Sequence, residues 1–199
     1  MNIAVRAPEI ASAGTAGLPP VGSRVVAGRD CGTCTLCCKV AAVEEVFKPN
    51  GVWCSHCVKG KGCTIYDQRP ASCRSFYCQW MLDKTFGPEW KPERAKFAMV
   101  KSEGGRRLTA LVDPGFPSAW RRSPYYENLK QWAADAVRKL PDLYFVDVLI
   151  GAHAIVILPD RDVDLGILGP DEMIQFGYKM NGTERVAEVR KVQRVAAAA

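Results

Sequence analysis

Apolar and polar positions change their period several times along the 199-residue chain. From about Ala95, KFAMVKS and RRLTALVD are short aliphatic and β-branched runs on either side of 103-EGG-105. That pattern predicts a hairpin closed by a glycine-containing turn. In 123-SPYYENLKQWAADAVRKLP-141, Tyr125, Leu129, Trp132, Ala136 and Leu140 recur at helical spacing. Ser123 is placed to cap this helix, Pro124 suits its first position and Pro141 ends it. FVDVLIG and HAIVILP predict two strands around Ala152, and DVDLGIL a further short strand. GPDEMIQFGYKM reads as the start of a short helix after the Gly169–Pro170 turn, and TERVAEVRKVQRVAAAA as a helical tail with a frayed end. Together these elements imply an α+β class for residues 83–199, a small antiparallel sheet with one or two packed helices.

The first 82 residues read differently. Residues 1–28 are rich in Ala, Gly and Pro and predict a flexible leader. They lack the charged start and continuous apolar run of a secretory signal, which places the chain in the cytoplasm, where thiols stay reduced. No stretch approaches the ~20 apolar residues of a membrane helix. The net charge of +6 is scattered, in pairs such as Arg106–Arg107 and Arg121–Arg122, and forms no compact block. Charge therefore argues for neither a membrane nor a nucleic-acid partner. His153 reads as a hydrogen-bonded core or strand-end residue, and 160-DRDVD-164 as a solvated turn, since it lacks the glycine and closing glutamate of a calcium loop.

Residues 29–82 hold all nine cysteines, in 31-CGTCTLCC-38 and 54-CSHCVKGKGCTIYDQRPASCRSFYC-78. Burial alone does not gather every thiol into a quarter of a chain at two- and three-residue spacings. On a helix, Cys31, Cys34 and Cys38 would share a face; in a tighter loop, Cys31, Cys34 and Cys37 would surround one corner of a cluster. The C-x2-C-x2-C run is the spacing with which iron–sulfur proteins supply three thiolates, a fourth coming from farther away. Zinc sites more often join one C-x2-C to a distant pair, and Cys54-x2-Cys57 suits such a knuckle. Neighbouring Cys37 and Cys38 diverge, which favours a polynuclear cluster or two nearby sites over one ion. RPASCRSF predicts a helix starting at Pro70; if it ran on, Cys73 and Cys78 would stand about 140° apart. Arg69 and Arg74 flank Cys73, where a guanidinium can hydrogen-bond sulfur and offset thiolate charge.

CGTCTLCC followed by GCTIYDQRPASCRSFYC resembles the bacterial cysteine-cluster family named for its C-x2-C-x2-C-C motif, whose members are described as zinc- or iron-chelating proteins. The second block fits the family pattern at Cys63, Ile65, Tyr66, Arg69, Pro70, Cys73 and Arg74. The resemblance spans about Cys31 to Trp80. It implies ligand roles for Cys31, Cys34, Cys37, Cys38, Cys54, Cys63, Cys73 and Cys78, with Tyr66, Arg69 and Arg74 beside them. Cys57 departs from the commoner pattern and is a possible ninth ligand. The expectation is a metal-organised segment at 29–82 carrying an iron–sulfur cluster, [4Fe–4S] preferred and zinc the alternative, with a role in redox chemistry, metal handling or sensing and a protein or redox partner. Two alternatives stand beside it. One is a structural zinc module contacting protein or nucleic acid. The other is lysine methylation with S-adenosylmethionine, by analogy with the flagellin lysine N-methylase, a longer member of the family. No dinucleotide fingerprint or phosphate loop marks an enzyme.

Overall fold

The computed structural model describes residues 2–5, 25–102, 106–138 and 145–193. In chain order these form β1 (Asn2–Val5), α1 (Cys37–Val40), β2 (Cys57–Val58), β3 (Gly62–Cys63), α2 (Ala71–Ser75), α3 (Gln79–Leu82), α4 (Pro92–Ala95), β4 (Phe97–Ser102) and β5 (Arg107–Val112). There follow α5 (Tyr125–Arg138), β6 (Phe145–Ile150), β7 (His153–Ile157), β8 (Asp162–Ile167), β9 (Glu172–Asn181) and β10 (Glu184–Gln193). The architecture is α+β, built on a five-stranded sheet in the order β4-β5-β6-β7-β8. Every neighbouring pair in it is antiparallel except β5–β6. That parallel pair requires a crossover, and α5 lies between its two strands in sequence. The expected β4–β5 and β6–β7 hairpins are present. The 103–105 turn, Leu140 and Pro141 lie outside the described residues.

Strand alternation divides the core in two. Phe97, Met99, Leu108, Ala110, Val112, Val146, Val148, Ile155 and Ile157 face one side, with Tyr125, Leu129 and Ala133 of α5. Trp90 closes that side, its ring 4.9 Å from Tyr125 and 5.9 Å from Phe97 in edge contacts. The other side carries Ala98, Val100, Leu111, Leu149, Ala154 and Val156, against Ile174 and Phe176 of β9 and Leu36, Val40, Cys78 and Met81 of the cysteine segment. On this side too, Arg107 grips Asp147 through Nε to Oδ1 at 3.1 Å and Nη2 to Oδ2 at 2.6 Å, and the Thr109 hydroxyl donates to Oδ1 at 2.7 Å. All three side chains are fully buried, so this paired charge sits where an unpaired one would be costly.

Three expectations change. Residues 172–181, expected to begin a helix, are strand β9, and 184–193 of the expected helical tail are strand β10. Their ten-residue antiparallel ladder is a non-local pairing that overrides the local helical preference of Glu, Arg, Lys and Ala. Ile174, Phe176 and Tyr178 alternate toward the core, and Gly182, at φ 61°, takes the first position of the two-residue loop. Within the expected leader, Asn2–Val5 pairs with Ile174–Gly177 to give a three-stranded sheet β1-β9-β10. His153 begins β7 and hydrogen-bonds the Asp164 carboxylate at 2.6 Å, a strand-end role. Asp162 is likewise engaged, by Lys130 at 2.8 Å and Arg121 at 3.3 Å. No helix among the described residues is long and apolar enough to cross a membrane.

Candidate metal centre

The helices of the cysteine segment are single turns of four or five residues, too short to hold themselves by propensity. Specific anchors close the segment on itself and tie it to the loops of the sheet instead. Val26 N–H donates to the Met81 carbonyl at 2.9 Å, and Arg29 donates to the Trp80 carbonyl and, at 2.9 Å, to that of Asp83. Lys39 pairs with Asp113. Gly51, at φ 77°, approaches the loops of the sheet so closely that a Cβ there would stand 2.8 Å from Pro114 Cγ.

The thiols fall on two sides of α1. Helix begins only at Cys37, so Cys31 and Cys34 lie in a loop closed by Cys34 N–H to Cys31 carbonyl at 2.8 Å. The loop arrangement, and not the helical face, is the one formed. Helix α2 stops at Ser75, which frees Cys78 to turn back at the start of α3. As a result Cys31, Cys34, Cys37 and Cys78 line one partly open cleft, with Trp80 and Met81 as apolar wall and Lys91 among its lining residues. Burial raises the Cys31 and Cys34 thiols and pushes Cys78 up to about 11. Cys37 is held well above the usual thiol range, first by its hydrogen bond with Cys38 and then by burial.

On the other side, Cys54 N–H donates to the Cys38 carbonyl at 2.9 Å, and Cys57 N–H to the Cys54 carbonyl at 3.1 Å. The β2–β3 hairpin that follows sets Cys57 opposite Cys63 and is tied by Thr64 N–H to the His56 carbonyl at 2.8 Å. Cys73 is brought in by α2, whose Ser72 donates its backbone N–H at 3.1 Å and its hydroxyl at 2.7 Å to the Glu45 carboxylate. Interaction with the neighbouring Cys37 thiol first of all lowers the Cys38 pKa, to about 6, against the effect of burial and with help from Cys57 and from the charges of Lys48 and Arg69. Burial, with the nearby Cys38, pushes Cys57 up to about 11. Cys57, which the sequence pattern left in doubt, thus faces Cys38.

The cations differ in placement. Arg69 lies over the Tyr66 ring with its guanidinium carbon 3.7 Å from the centroid, and its buried Nε has no hydrogen-bond partner. Its positive charge acts on both Cys31 and Cys38. Arg74 is exposed at the end of α2. Sequence reasoning missed Lys48, which is buried, with Nζ donating to the carbonyls of Lys39 at 3.0 Å, Pro49 at 3.1 Å and Ala41. Burial lowers its pKa, against the pull of Cys54, Cys38, Cys37 and Cys73. Little in EEVFKPN announces this, because two of the three carbonyl partners, those of Lys39 and Ala41, come from the end of α1.

Among the described residues, no three His, Cys, Asp or Glu side chains already converge as one metal ion requires. A tetrahedral zinc with Zn–S near 2.3 Å needs its sulfurs within about 3.8 Å of one another. Thiolates of a cubane cluster each take a different iron and are spread more widely. Comparison with protein-family models, with curated proteins and with solved structures gives no match.

Proposed function

We propose that this protein binds an iron–sulfur cluster, a [4Fe–4S] centre, through Cys31, Cys34, Cys37 and Cys78. The carrying observation is that these four thiols, three in C-x2-C-x2-C spacing and one from 41 residues beyond the third, line a single cleft. The donor set fits the group: four soft thiols around a space, apolar walls at Trp80 and Met81, and Lys91, whose charge already acts on Cys34. The unpartnered Arg69 Nε is a donor suited to a thiolate sulfur, and its charge acts on Cys31. When bound, such a cluster accepts and returns single electrons. The chain supplies the ligands, the countercharge and a wall that limits water. The same reading accords with the resemblance to the cysteine-cluster family. It places the protein in the cytoplasm, where its partner is a redox protein or one that receives metal, in a redox, metal-handling or sensing role.

Anaerobic purification with iron, acid-labile sulfide and zinc analysis tests this. The expected result is a brown protein with about four irons and four sulfides per chain. A colourless protein that holds zinc alone would overturn it.

A further inference from the structure

We propose that two copies of this chain pair through the open edge of β10, antiparallel and about a two-fold axis at Val189. The three-stranded sheet of one copy then runs on into that of the other, in the order β1-β9-β10-β10-β9-β1. This goes beyond the cluster reading and uses none of the thiols.

Strand β10 ends the β1-β9-β10 sheet, and among the described residues no strand lies on its other side. The hairpin determines which of its backbone groups face that side. Asn181 and Glu184 flank a two-residue loop, and the pair that closes such a loop exchanges both hydrogen bonds. The even-numbered residues of β10 therefore bond β9, and the N–H and C=O groups of Ala187, Val189 and Lys191 point outward. In agreement, the Ala187 carbonyl accepts a hydrogen bond from Arg161 Nη2 at 3.1 Å. The Arg161 side chain is 45% exposed and the carbonyl has a second lone pair, so this contact does not close the edge.

The edges of the larger sheets differ in how they are protected. Strand β1 has only four residues. Strand β8 carries a register shift against β7 and Gly166 at φ 67°. Strand β4 is packed against α1, α3 and α4. Strand β10 has ten residues in unbroken register with β9 and no proline. A long, unbroken edge is a template for another strand.

Its side chains identify that strand. Ala187 and Val189 pack on the core, so Val186, Glu188, Arg190 and Val192 project from the opposite face. On that face Glu188 pairs with Lys179, and Arg190 Nε donates to Gln175 at 2.6 Å. An axis perpendicular to the sheet keeps Ala187 and Val189 of both copies on the core side. With Val189 opposite its counterpart, each Glu188 meets an Arg190 and each Val186 a Val192. Moving the axis by one residue sets Glu188 against Glu188, or Arg190 against Arg190. Like charges directly opposite destabilise a sheet, so one register is selected. The strand is complementary to itself. A single strand pair buries a small interface, and the association is expected to depend on concentration.

Sedimentation equilibrium of the full chain tests this, with the protein purified anaerobically and kept reduced so that no disulfide links two copies. The native protein should pass from monomer to dimer as its concentration rises. Glu188→Lys and Arg190→Glu should each weaken self-association at least about tenfold, because each places like charges opposite one another at both contacts. Mixed together, the two variants should associate about as tightly as the native chain, since each then meets the opposite charge in the other. Ala187→Pro removes an N–H that β9 does not use, so it should abolish the dimer while circular dichroism stays native. If a charge variant is not recovered folded, Ala187→Pro decides alone, and a dimer that survives it overturns the proposal. A native chain that is monomeric at every concentration also overturns it. So does a mixture of the two charge variants that associates no better than either by itself.

Discussion

The two faces of the central sheet are covered by different physics. On the α5 side, Leu129 is fully buried, Trp120 is 1% exposed, and Phe86, Trp90, Phe97 and Tyr125 meet in edge contacts. A side chain of that size, fully buried, contributes about 1.5–3 kcal/mol, so this face is held by apolar area. The other face is covered in part by Ile174 and Phe176 of β9 and in part by single helical turns of the cysteine segment, whose apolar contribution is Leu36, Val40, Ala41, Cys78 and Met81. Its remaining contacts are placed bonds such as Lys39–Asp113 and Ser72–Glu45. Such a layer is positioned by geometry more than by burial. The difference is that between a face held by apolar area and a layer held largely by placed polar contacts.

The largest effect is expected on the self-supporting face. Trp120→Ala should cost about 3–5 kcal/mol and lower the melting temperature of the whole molecule, read by thermal unfolding followed through near-ultraviolet circular dichroism. A loss confined to the α5 region would mean that the two faces unfold independently. Asp147→Ala should be of similar size, about 3–5 kcal/mol, because it breaks a fully buried ion pair. A chemical-denaturation curve unmoved by this change would remove the ion pair from the account of the cysteine side.

Metal removal comes next and should act on one face only. Hydrogen-exchange protection should be lost across 31–78 while the strands from Phe97 to Ile157 keep theirs. Unchanged protection in 31–78 would make the cysteine layer as self-supporting as its counterpart.

In the metal-free protein the thiols should separate by charge state. Cys38, lowered to about 6, is largely thiolate at neutral pH, and Cys57 and Cys78, raised to about 11, are not. Because the ionised form is the nucleophile, Cys38 should alkylate first at pH 7 and slow as pH falls through about 6. Equal labelling of all nine cysteines in a mass-spectrometric time course would dismiss the Cys37–Cys38–Cys57 arrangement.

The smallest effect separates the two arginines. Arg69→Gln should weaken metal retention, having removed a guanidinium whose charge acts on Cys31 and Cys38, whereas Arg74→Gln, at an exposed site, should leave it near native. Equal retention in both variants would make Arg69 a surface residue too.

Much of this was legible in the residues themselves. The α+β class, the β4–β5 and β6–β7 hairpins and the body of α5 follow from local periodicity, because each buries a face that its own sequence defines. The C-x2-C-x2-C run likewise announced a thiol site, since that spacing closes a turn by itself. Tertiary structure alone decided the rest. The β9–β10 ladder depends on ten residues finding ten others, and the pairing outweighs a local pattern that reads as helix. The gathering of Cys31, Cys34, Cys37 and Cys78 around one cleft and the burial of Lys48 depend on where distant turns come to rest. A linear spacing states which sulfurs are near in the chain. Which of them face the same space is settled only when the segment is laid against the sheet.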